Sequence, residues 1–104
     1  MARKSDIAVV SHAELERIWD ENAMSQKLRT GLLIEIIVPQ GPAKNPRYAG
    51  GASRIVKVRT PSGQHIGTLH EIVGPSGDIL HRHPHDYTLR DCSRVRIADR
   101  NDPP

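Results

Sequence analysis

The chain has 104 residues, 37% of them hydrophobic, and a net charge of +3 from 15 Lys and Arg against 12 Asp and Glu. That length suits one compact domain, residues 1–104, with a core that needs no disulfide or metal to form; the single cysteine, Cys92, excludes an internal disulfide and suits a reducing compartment. With Trp19, Tyr48 and Tyr87 as the only aromatic residues, a row of rings stacking on bases is disfavoured, and no run approaches the ~20 apolar residues of a membrane span.

Residues 1–10 read as a flexible arm or, through Ile7 to Val10, an edge strand. The opening MARKSDIAVV is basic, but its apolar run is too short for a signal peptide, so a cytoplasmic protein without membrane contact is expected. Ser11 followed by Glu14 forms a capping box, in which the serine hydroxyl takes the Glu14 amide and the carboxylate reaches back to the Ser11 amide. Leu15, Ile18 and Trp19 then follow at helical spacing as one buried stripe. A second turn or continuation carries Met24 and Leu28 to Thr30, with Gly31 as the stop.

Leu32 to Val38, LLIEIIV, is short and rich in isoleucine and reads as a central strand, with Glu35 on its wet face. Pro39 to Ser53 holds three prolines and three glycines and reads as a loop, where Lys44, Arg47 and Tyr48 are candidates for gripping an anionic ligand. Two alternating segments follow, each closed by the same turn: Pro61 to Gly63 after RIVKVRT, and Pro75 to Gly77 after the segment ending at Val73. Proline at the first central position and a glycine that tolerates the left-handed conformation suit a three-residue hairpin loop with a bulge, so a three-stranded meander is expected. Beyond Pro84 the chain reads as irregular, Ser93 to Ala98 as a last strand, and residues 99–104 as a polar tail. The fold class is therefore α+β: an N-terminal helix or helix pair on a four- to five-stranded, mainly antiparallel meander. A small, partly open β-barrel with one helix is the alternative.

Four of the six histidines fall between Ile66 and Tyr87, three of them spaced by two at His81, His83 and His85. Side chains two apart on a strand share a face, so what the imidazoles meet depends on register. Three-residue loops at both turns set Arg59 opposite His65, Ile55 opposite Leu69, Glu71 opposite His81 and Leu69 opposite His83. One face then carries Lys57, Arg59, His65, Glu71, His81 and His83. Glu71, His81 and His83 would be acid/base groups, and Lys57, Arg59, Arg82, Arg94 and Arg96 phosphate contacts, with no cofactor. A four-residue second loop, Gly74 to Gly77, instead sets His70 opposite His81 and Thr68 opposite His83. His70, His81 and His83, with His85 or Asp86 nearby, would then bind zinc or another divalent transition metal. A solvated histidine patch is the third reading.

A helix followed by a twisted meander with basic and histidine residues on its open face is similar in layout to small bacterial ribonucleases and ribonuclease toxins. That resemblance implies an RNA-directed protein, a metal-independent endoribonuclease of toxin type, together with a neutralising protein partner. The basic pI of 9.4 favours RNA or another anionic partner as well. A noncatalytic module binding nucleic acid or protein through the same face is the rival, and a histidine-ligated metal protein the second.

Overall fold

The structure, a computed structural model, describes residues 7–89 and 93–98. Cys92, the first six residues of the arm and the polar tail lie outside the described residues. The elements run β1 (Ile7–Val10), α1 (His12–Glu21), α2 (Met24–Arg29), β2 (Ile34–Pro42), a 3-10 turn (Pro46–Tyr48), β3 (Ala52–Arg59), β4 (His65–Val73), β5 (Ile79–Thr88) and β6 (Arg94–Ile97). They form an α+β fold: two short helices on one face of an open sheet of order β1-β6-β5-β4-β3-β2. Six strands replace the expected four or five, and because β1 pairs parallel with β6 the sheet is mixed rather than a pure meander. Among the described residues β1 and β2 are the two edges and do not pair, so the sheet is an open one rather than the partly open barrel of the alternative. No helix among the described residues is long and apolar enough to cross a membrane.

Local chemistry explains both helices. Ser11 caps α1 by accepting the Glu14 amide at 3.1 Å. The Glu14 carboxylate does not return to the Ser11 amide as a capping box would have it. It pairs with Arg17, whose guanidinium also reaches Glu21 at 2.6 Å, one turn further along the same exposed face. Leu15 and Trp19, fully and nearly fully buried, make the inner stripe. Asn22 ends α1, Ala23 turns the chain through a left-handed conformation (φ 51°), and α2 runs to Arg29 with Gly31 at φ 81° just beyond. The helices cover Val56, Val58, Leu69, Tyr87, Val95 and Ile97, which with Leu15, Trp19, Met24 and Leu33 form the core.

Both Pro-Ser-Gly loops close as the sequence suggests. The Gly63 amide donates to Thr60 O and the Gly77 amide to Gly74 O, each at 2.9 Å, with both glycines at positive φ. The register beyond them differs, because each hairpin carries a bulge. Arg59 pairs with His65 but Val58 with Gly67, leaving Ile66 as an extra residue, so Ile55 meets His70 rather than Leu69. Val73 pairs with Ile79 but Ile72 with His81, leaving Leu80 extra; a second bulge at His85 lets Thr68 meet Asp86 and Leu69 meet Pro84. Two further segments differ from the expectation. β2 is an edge strand that continues past Val38 through Pro42 with a bulge at Gln40, because an edge tolerates proline. β5 runs on through Thr88, held by β4 and β6.

Gly67 shows how tightly α1 seats. A Cβ there would lie 2.7 Å from the Trp19 ring and 2.9 Å from Asp86 O, so no side chain fits without moving the helix or the sheet. Gly67→Ala is expected to lower stability by about 1–3 kcal/mol, the usual cost of overpacking. Urea unfolding followed by Trp19 fluorescence checks this, and an unchanged midpoint would contradict the packing described.

Candidate functional site

Alternation along the strands sorts the titratable side chains onto two faces. Leu69 and Val56 point to the helices, and two residues along their strands so do Glu71 and Arg54. Glu71 is fully buried, pairs in register with Arg54 on β3 and Arg82 on β5, and binds both: Arg54 Nη2 lies 2.7 Å from Oε1 and the Arg82 guanidinium holds Oε2. Glu71 is thus opposite Arg82, not His81, and its carboxylate lies on the other side of the sheet from the histidines. The bulge at Leu80 is the physical reason. Arg82, expected among the phosphate contacts, is committed to this cluster.

The open face collects His70 from β4 and His81, His83 and His85 from β5. His70 faces His83 in register, a pairing that neither loop length foretold, although the shared face of His70, His81 and His83 is the one the four-residue loop would have produced. Their ligating atoms all lie within 4.8 Å of one another. His81 Nε2 and His83 Nδ1 share a hydrogen bond of 2.7 Å, and the Ser53 hydroxyl holds His70 Nε2 at 2.8 Å. His85 stacks on His70 with ring centroids 5.4 Å apart. His12, from the first turn of α1, brings its ring to 5.3 Å from His83, and Tyr48 sets its ring 5.8 Å from His81.

His83 is the hub of this cluster, and its proton affinity reflects that position. Burial first, then the neighbouring His85, His81, His70 and His12, push its pKa down to about 4. The pKa of His70 is lowered too, by burial and by His85 and His81, against an opposing pull from Glu71. Both rings are neutral near pH 7 and offer lone pairs.

These imidazoles line a cleft of about 900 Å³ together with Lys44, Tyr48, Asp86, Arg94 and Arg96. Asp86 accepts from His65 Nε2 at 3.0 Å and lies 3.3 Å from Arg94 Nη2. Of the expected phosphate contacts, Arg94 and Arg96 therefore reach the cleft. Lys57 is exposed on the open face, in register with Thr68, but does not line the cleft; Arg59 sits opposite His65 with a buried Nε. Arg47 lies over the Tyr48 ring at 6.0 Å, and Glu35 is exposed on β2. Trp19 is core. Sequence reasoning missed His12 and Ser53, and no local signal marks either: His12 is brought in by the β1–α1 connection, and Ser53 by pairing across the bulged hairpin.

Set against known proteins, the chain finds no counterpart: no family model matches it, and neither does a curated protein or a solved structure.

Two measurements test this sorting of charges. Glu71→Gln leaves two guanidiniums sharing a buried site without their anion. Since both arginines are partly exposed and regain water, a loss of about 2–3 kcal/mol is expected, below the usual figure for a deeply buried pair. Chemical denaturation reads it, and a neutral result would mean the cluster contributes no net stability. The second concerns pH. In the metal-free protein His83 is expected to stay unprotonated down to about pH 4, whereas an unperturbed histidine titrates near 6.5. The unfolded chain takes up the proton first, so this contribution is fully present above about pH 6.5 and is lost as pH falls toward 4. An NMR titration of the His83 ring with a midpoint near the ordinary value would contradict the packing of the cluster.

Proposed function

We propose that this protein binds a divalent transition metal ion through His70, His81 and His83 and presents it to ligands entering the cleft. The observation that carries this reading is the convergence of three ring nitrogens from adjoining strands to within 4.8 Å. A tetrahedral ion with bonds of about 2.0–2.1 Å needs its nitrogens roughly 3.3 Å apart, a spacing that small rotations of the rings can reach. His81 and His83 now meet across a hydrogen bond, and the ion takes the place of that proton. An all-imidazole set suits zinc, copper or nickel better than magnesium or calcium, which prefer oxygen. Three protein ligands leave a coordination position open, as in catalytic zinc sites, where the ion polarises a bound oxygen or acidifies a water. Ser53 holds the His70 ring in place, and Tyr48 walls His81.

Cleavage of RNA by the histidines alone is a second reading, favoured by Lys44, Arg94 and Arg96 along the same cleft. Glu71 has no part in it, since its carboxylate is buried on the far face. His81 and His83 would then exchange protons with the ribose hydroxyl and the leaving oxygen. With a pKa of about 4, His83 carries almost no proton to donate near pH 7, and this weighs toward the metal.

Isothermal titration with Zn²⁺ or Co²⁺ separates the readings. One ion per chain is expected to bind, with affinity falling on the order of a hundredfold in His83→Ala, where a ligand is lost, while Lys57→Gln, exposed and outside the cleft, binds as the wild type does. Failure of both ions to bind the folded protein rejects the metal centre. Cleavage of total RNA that survives a chelator and is lost in His83→Ala would put the second reading in its place.

A further inference from the structure

The cleft is much larger than an ion needs, and its remaining chemistry points to what completes the site. Among the described residues, three cationic side chains, Lys44, Arg94 and Arg96, line it against one carboxylate, Asp86, whose oxygens are already taken up by His65 and Arg94. The three histidine ligands bring no negative charge, so a bound divalent ion would raise the positive excess. Guanidinium groups match the geometry of tetrahedral oxyanions through paired N–H donors, and a phosphate carrying close to two negative charges offsets such an excess better than a carboxylate. Ile55, Ile72 and Pro42 give the same cleft an apolar side, which suits the organic part of an ester rather than a free ion.

We infer that the cleft takes a phosphate monoester, one phosphoryl oxygen completing the coordination of the ion on His70, His81 and His83 and the others held by Arg94 and Arg96. This rests on the metal reading for its bridging oxygen and on Arg94 and Arg96 for its selectivity. The two arginines stand on one strand: β6 alternates Arg94 and Arg96 toward the cleft with Val95 and Ile97 toward the core. Their backbone is held against β5 at Asp86 and Thr88, so both guanidiniums approach from a fixed rail beside His85. Asp86 keeps Arg94 aimed, and an arriving phosphate meets the terminal N–H groups of its guanidinium.

The experiment uses the Co²⁺-loaded protein, whose visible spectrum reports on the metal's ligands. Titration with inorganic phosphate, with phenyl phosphate and with acetate is expected to change that spectrum saturably, phenyl phosphate binding tightest and acetate weakest. Arg94→Gln combined with Arg96→Gln is expected to weaken phosphate binding about tenfold or more at Co²⁺ concentrations that saturate both proteins, the scale of a lost charge-assisted hydrogen bond. Circular dichroism confirms that the variant is folded; Arg94→Lys with Arg96→Lys, which keeps the charge and loses the fork, should fall between the two. A cobalt spectrum indifferent to phosphate, or one that acetate perturbs equally well, overturns the inference while leaving the metal centre standing. Absence of a cobalt spectrum overturns the metal centre instead. The arginine Nε resonances of the metal-free protein then decide the anion subsite: movement with phenyl phosphate supports it, and no movement overturns it.

Discussion

One extra residue in one strand decides the character of this molecule. Because side chains alternate, moving a pairing by one position exchanges what lies under the helices with what lies in water. Leu80 is that residue: it leaves the three-residue loop intact, yet beyond it Glu71 meets Arg82 and His70 meets His83. Without it, Glu71 would stand opposite His81 and one of the two would sit on the wrong side for its chemistry. The bulge at Ile66 makes the same correction between β3 and β4 and sets Arg54 across from Glu71. The two bulges together align β3, β4 and β5 so that a carboxylate falls between two guanidiniums on one side and imidazoles gather on the other.

Each face fixes the other. A buried carboxylate costs several kcal/mol of lost hydration, which the two arginines offset only while all three strands keep register. Sliding β5 by one residue would strip Glu71 of Arg82 and also carry His81 and His83 to the helix side. The cluster is therefore a register lock as much as a source of stability, and the open-face site inherits its alignment from groups it never touches. Gly67 and Trp19 act similarly at the other end of β4, where only the missing side chain lets α1 lie flat.

Much of the frame was legible in the sequence. Ser11, the Leu15–Trp19 stripe, Gly31 and the two Pro-Ser-Gly loops carry local signals, and local signals survive into the structure because the groups that make them are a few residues apart. The shared face of His70, His81 and His83 was legible too, as one of two parities. Bulges leave little mark of their own: Ile66 and Leu80 are ordinary strand residues, and His85 is betrayed only by its place after Pro84. Likewise β1 gave no hint of its parallel partner β6, since a parallel neighbour can stand anywhere in the sequence, and His12 joined the site only because that pairing delivers α1 to the edge of β5.

The open face also poses an energetic question. Five imidazoles from β4, β5 and α1 lie within contact of one another on the side of the sheet away from the helices. A solvated histidine patch would keep its rings apart and titrate near the ordinary value, because water and mutual repulsion both favour separation. Here burial and proximity act together to expel protons from His70 and His83. Rings that reject a proton still keep their lone pairs, and packing several such lone pairs together is unfavourable unless something accepts them. A proton shared between His81 and His83 accepts one pair; a divalent ion accepts three and replaces the repulsion with bonds. The crowding that lowers the proton affinity of His70 and His83 also leaves their ring nitrogens unprotonated near pH 7, the form that the proposed metal ion requires.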